Sequence, residues 1–236
     1  MENESKMKGY SIILNIIIWG GLWGIFEATV GYLLHMVSFG FSWIIWYPFA
    51  CFIMTNVYRK NKSVSSIFYV GLFSATIKML NLFLPGRIDR VINPAISIVF
   101  EALAMACVVF AVNQLFKEKQ KNPLIKALMA VTMNTGWRIL FALYLLFLVP
   151  DWIREVSVIS SAEKFIPFFI TQNLVTSVLI FVGYQFKTTI LKVVEIAENR
   201  ILISINAAPN LSVLVFKTSA ATLIFCANIA LQFMLN

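Results

Sequence analysis

Apolar residues run along this chain for long stretches, and polar residues collect in short breaks between them. A helix that crosses a bilayer needs roughly 20 mainly apolar residues. The first run of that kind extends from Tyr10 to Met36. After the turn VSFGFS the second covers Trp43 to Tyr58, with Pro48 as an expected kink. The break RKNKSVSS leads to a third run, Ile67 to Leu84. The connection PGRIDRVINP leads to a fourth, which the pattern starts at Asn93-Pro94, an N-cap and N1 pair, and ends near Phe116. The basic stretch KEKQKNPLIK precedes a fifth run, Ala127 to Val149, stopped by Pro150. The mixed-charge loop PDWIREVSVISSAEK leads to a sixth, Phe165 to Phe186.

The pattern then changes. In KTTILKVVEIAENRI, the apolar residues Ile190, Val193, Val194, Ala197 and Ile201 recur at helical spacing, with Lys187, Lys192, Glu195, Glu198 and Arg200 between them. Residues 187–203 therefore read as an amphipathic helix on the membrane surface, or as a cytosolic extension of the sixth run. NAAPN breaks it, and a last apolar run, Leu211 to Leu235, makes a possible extra span with Lys217 snorkelling toward one end. The expected fold is all-α: one integral membrane domain over residues 1–236, with a core bundle over 10–186 and 6–7 transmembrane helices.

Composition supports this reading. Of 236 residues, 60% are hydrophobic and 13% charged, against about 25% charged in a soluble domain. So little charge cannot clothe a soluble surface, and the partner of most of the surface is the lipid bilayer. The net charge of +8 does not indicate nucleic acid, because the basic residues cluster in the breaks. With the N-terminus cytoplasmic, the inner segments hold Lys6, Lys8, Arg59, Lys60, Lys62, Lys117, Lys119, Lys121, Lys126, Lys187, Lys192 and Arg200, and the outer ones only Arg87, Arg90, Arg154 and Lys164. The expected placement is a multi-pass plasma-membrane protein with its N-terminus inside. The first run reads as a retained span, not a cleaved signal. Cys51, Cys107 and Cys226 lie singly in apolar surroundings and read as packing residues.

Four ionisable residues fall well inside the runs: Glu27, Lys78, Glu101 and Arg138. Such groups are expensive at bilayer depth and are functional candidates by default. At 1.5 Å per residue their depths from the outer face are roughly 13, 9, 12 and 16 Å. Two are anionic and two cationic, so they can neutralise each other, and Thr76, Asn81, Asn93 and Asn134 can extend the network. His35, the only histidine, and Arg87 would sit above them at the mouth. Glu27, His35, Lys78, Arg87, Asn93, Glu101, Asn134 and Arg138 thus outline a polar pocket for a small water-soluble molecule. The same four charges also fit two interhelical ion pairs that only fix the bundle. Glu27 and His35 are too far apart on a helix to hold one metal, so no metal or other cofactor is expected.

Gly20, Gly24, Ala28 and Gly31 form a small-residue seam on the first run, suited either to packing within the bundle or to docking on a separate membrane protein. Trp43, Trp46, Tyr47 and Trp152 fit interfacial aromatic belts. The sequence carries no nucleotide-binding loop, no HExxH and no GxSxG.

The segments GGLWGIFEATVGYLLH and LPGRIDRVINPAISIVFEA, in a small basic bundle, resemble the prokaryotic substrate-binding S components of energy-coupling factor transporters. That resemblance implies a non-enzymatic subunit that binds a vitamin-like micronutrient from outside. It further implies that the seam at Gly20, Gly24 and Ala28 docks on a transmembrane coupling subunit served by separate ATPases. Other readings of the same residues are a self-contained proton-coupled secondary transporter using Glu27 or Glu101, an intramembrane enzyme with the carboxylates as acid and base, and a structural membrane protein.

Overall fold

The structure is a computed structural model, and it describes residues 2–36, 43–84, 87–116, 122–186, 192–196 and 211–235. The described residues form helices and turns without a strand, as the apolar pattern requires. In chain order they are α1 (Glu2–Met36), α2 (Trp43–Asn61), α3 (Ser65–Met79) with a 3-10 turn (Leu80–Phe83), α4 (Asp89–Leu115) and α5 (Pro123–Phe147). The short α6 (Asp151–Arg154) and α7 (Ala162–Ile166) follow, then a π-helical turn (Pro167–Thr171) that runs into α8 (Gln172–Gln185). Then come α9 (192–196) and α10 (Leu211–Leu235).

Among the described residues, six helices are long and apolar enough to cross a membrane: α1, α3 with its 3-10 turn, α4, α5, the continuous α7–α8 run, and α10. The chain is therefore a multi-pass α-helical membrane protein. At 19 residues and about 1.5 Å per residue, α2 has the length of a span but not the apolarity. Its surroundings explain this. It lies against α1, α3 and α8, so its polar Thr55, Asn56 and Asn61 are buried against protein.

Neighbour contacts order the helices as a ring: α1 packs on α3, α3 on α4, α4 on α5, α5 on α8, α8 on α2, and α2 back on α1. The main core of Trp19, Trp23, Tyr47, Met54, Ile67, Met105 and Met133 fills it. α10 packs chiefly on α1, on the outer side of this ring. Leu22, Phe110, Leu128, Leu174 and Leu223 stay exposed, as side chains that face lipid should.

The helix starts differ from the pattern in one instructive place. α4 begins at Asp89, not at Asn93-Pro94, and Pro94 lies inside it. The Asn93 side chain does not cap: its Oδ1 accepts a hydrogen bond from the Tyr144 hydroxyl of α5 at 3.2 Å. The Asn-Pro start occurs instead at α5, where Asn122 accepts from the Leu124 N–H at 2.9 Å and Pro123 opens the helix.

The small residues of α1 are used within the chain. A Cβ at Gly20 would stand 2.8 Å from Phe73 and 3.1 Å from the Val70 carbonyl of α3. One at Gly24 would stand 2.5 Å from Asn228 of α10 and 3.1 Å from Ile77 of α3. The Asn228 Nδ2 donates to the Gly21 carbonyl at 2.8 Å. Of the seam expected to dock, Gly20 and Gly24 are thus covered by α3 and α10, and Ala28 is buried. Lys217 donates to Ser11 at 3.0 Å, so α10 is also tied to α1 one end away.

Of the surface segment expected over 187–203, only 192–196 lies among the described residues, and it is helical. There Val194 packs on the core, and the Arg59 guanidinium of α2 bonds Glu195 at 3.4 Å. Cys51 is buried as expected, but Cys107 and Cys226 are exposed on α4 and α10: a thiol is apolar enough to face lipid.

Candidate ligand cavity

The sequence places the polar groups of α4 on one stripe: Arg90, Asn93, Ser97 and Glu101 are three, four and four residues apart. That spacing returns to the same helix face at each turn. On α5, Asn134, Trp137, Arg138 and Phe141 do the same. The two stripes face each other because α4 and α5 are neighbours in the ring.

Between them lies a cavity of about 640 Å³, within the range of small-molecule sites. α1 contributes Glu27, α3 Lys78, α4 Arg90, Asn93, Ser97 and Glu101, and α5 Trp137, Arg138 and Phe141. α2 contributes Trp43, Trp46 and Tyr47, and the π turn with α8 contributes Phe168 and Gln172. All four charges expected inside the bundle therefore line one cavity.

They line it without touching. Among the described residues, no ion pair within 4.0 Å joins Glu27, Lys78, Glu101 and Arg138. The alternative of two interhelical ion pairs is thus not seen among the described residues, and the charges act on one another at a distance. Glu27 lies within electrostatic reach of Lys78 and Glu101, and Glu101 within reach of Arg138. The Glu101 carboxylate accepts from Ser97 Oγ one turn away at 3.3 Å.

Arg138 is the most firmly held of the four, at 2% exposure. Its Nε donates to Asn134 Oδ1 at 3.3 Å and its Nη1 to the Phe168 carbonyl at 2.7 Å. Its guanidinium carbon lies 4.7 Å from the Trp137 ring centre and 4.5 Å from that of Phe168. The π turn helps to make this possible. The Gln172 N–H reaches back five residues to Pro167, and such a wide turn displaces its carbonyls from the ordinary ladder. Asn134 is held in turn. Its Nδ2 faces the Asn173 carbonyl, Thr176 Oγ1 and Ser177 Oγ at 2.8, 2.6 and 2.9 Å, and its Oδ1 also accepts from the Trp137 indole at 2.9 Å. Asn134 supports the cavity from behind.

Arg87 is not part of the lining. It pairs with Asp89 at 2.8 Å and is half exposed. The hydrogen bonds to Asp89 raise its pKa further above the usual arginine value, so it stays charged beside its own carboxylate. The neighbour Arg90 takes the place expected of it. His35 lies in the last turn of α1, and its side chain is outside the described residues.

Sequence reasoning missed the aromatic walls. Tyr47 is buried in the core and meets the Trp137 ring at 5.7 Å, while Trp43 and Trp46 line the cavity. All three belong to the lining of the site. Trp152 is exposed. The signal for Arg90 and Ser97 was present in the α4 spacing. Phe168 and Gln172 carried none, because their role depends on the π turn. Among the described residues, no cluster of three metal-ligating side chains occurs.

Comparison with protein-family models, with curated proteins and with solved structures yields no match. Fold and cavity together define the class: a multi-pass helical membrane protein with a charged, aromatic-walled cavity inside its helix ring.

Proposed function

We propose that this chain is a non-enzymatic substrate-binding subunit of a membrane transporter, taking a small water-soluble molecule into the cavity. The observation that supports it most is the gathering of Glu27, Lys78, Arg90, Glu101 and Arg138 around one space of about 640 Å³. A purely structural role would put opposite charges in contact, since a separated buried charge is costly. The charge bias of the connections supports a plasma-membrane placement with the N-terminus cytoplasmic. In that orientation the cavity opens outward. The resemblance to energy-coupling factor S components supports a micronutrient as substrate and a transmembrane coupling subunit with ATPases as partners.

With Gly20 and Gly24 of α1 covered by α3 and α10, a coupling subunit has either to displace α10 or to use another face. Purification in mild detergent should recover the chain with an ATPase-containing complex. Recovery of the lone chain across several mild detergents contradicts the subunit reading. The carboxyl groups of Glu27 and Glu101, within electrostatic reach of each other in one cavity, favour one rival, a proton-coupled transporter. Uptake by the pure chain in liposomes, driven by a proton gradient alone, supports that rival.

A further inference from the structure

The separation of the cavity's charges has a chemical consequence. Arg138 spends two N–H groups on neutral acceptors, Asn134 Oδ1 and the Phe168 carbonyl. A guanidinium has five. It is therefore fixed in place by uncharged partners, with donors left over, and no carboxylate lies within 4.0 Å of it among the described residues. A fixed guanidinium of this kind is suited to binding an acid group through two parallel hydrogen bonds.

Glu101 presents the complementary case. It is 6% exposed, and its hydrogen bond comes from an uncharged hydroxyl, Ser97. Its charged neighbours in the cavity are Arg138 and Glu27. The two carboxyl groups line one cavity within electrostatic reach of each other, and the lysine near Glu27 makes no ion pair within 4.0 Å to either. A cation set between Glu27 and Glu101 would relieve that repulsion.

The two demands meet in one cavity. Arg138 and Glu101 are too far apart to pair directly, yet close enough to feel each other. An acid group followed by an ammonium, inserted between them, completes an alternating series: guanidinium, ligand acid, ligand ammonium, carboxylate. The geometry points to a small organic zwitterion as the substrate class, its acid on Arg138 and its ammonium on Glu101 and Glu27. This deepens the substrate-binding reading and rests on it. Trp46, Trp137 and Phe141 supply flat walls for an apolar or aromatic body, and a Trp face also favours an ammonium.

The test uses the full chain in lipid nanodiscs, with Arg138→Met and Glu101→Gln variants whose helical content is checked by circular dichroism. Each is equilibrated with a deproteinised small-molecule extract of the expressing cells and washed, and the retained molecules are identified by mass spectrometry. The compounds retained by the unaltered chain should carry both an amine and an acid group. Each variant should retain them about 30-fold less, as expected when one partner of a buried charge pair is removed. Retained compounds lacking either group overturn the zwitterion assignment and leave the substrate-binding reading intact. Equal retention by a folded Glu101→Gln variant also overturns the assignment. Retention of nothing by the unaltered chain overturns both. If a variant does not fold, the identity of the compounds held by the unaltered chain still decides.

Discussion

Arg138 shows at the residue scale how an expensive group is kept in an apolar bundle. Its charge is met by a carbonyl, an amide oxygen and two aromatic faces. Asn134 is the hinge of that arrangement, because one side chain bonds α8 with its amide nitrogen and both Trp137 and Arg138 with its oxygen. Asn134→Ala leaves several buried donors and acceptors unmatched. It should lower unfolding free energy by about 2 kcal/mol and reduce ligand retention with it, measured by denaturation and by binding in nanodiscs. Arg87→Ala is the contrast. Its guanidinium already pairs with Asp89 at the surface, so retention should stay at the unaltered level. A loss comparable to that of Arg138→Met would show that Arg87 reaches the site.

Helix contacts make sharper distinctions at the element scale. Gly20 and Gly21 are neighbours on α1, yet they face different helices: a Cβ at Gly20 meets Phe73 and Val70 of α3, and one at Gly21 meets Ile224 of α10. Gly20→Leu should therefore disturb the ring and abolish ligand retention. Gly21→Leu should only loosen α10, lowering the melting temperature while retention persists. Gly71, where a Cβ would run into Ala102 of α4, is a stricter test of the ring itself. Gly71→Val overpacks the α3–α4 contact and should cost about 3 kcal/mol, read by thermal unfolding. The long apolar runs made these helices legible in the sequence, because a lipid-facing helix must be apolar over its whole length. The four cavity charges were legible for the same reason: each stands out against lipid-soluble neighbours. The helix starts near Pro94, the π turn at Pro167–Thr171 and the covering of α1 by α10 were not. Asn93 served a tertiary hydrogen bond in place of a cap. A π turn has no apolar period of its own, and a small-residue seam does not name the helix that fills it.

The whole molecule divides into a ring that builds the cavity and a helix, α10, that lies outside it. Arg59 and Lys60 lie in the last turn of α2, at the other end from Trp43 and Trp46, which line the cavity. If that end is cytoplasmic, as the positive charges favour, an impermeant maleimide should label a cysteine-free chain carrying Ser160→Cys in intact cells. It should label one carrying Ser63→Cys only after permeabilisation. The reverse pattern would turn the cavity inward. The central claim is that the separated charges of this cavity await a small soluble molecule, and native mass spectrometry of the chain purified from its own cells tests it most directly. The expected result is a discrete added mass on the unaltered protein that disappears in Arg138→Met. A bare mass on the unaltered protein, with lipid adducts alone under gentle conditions, would contradict it.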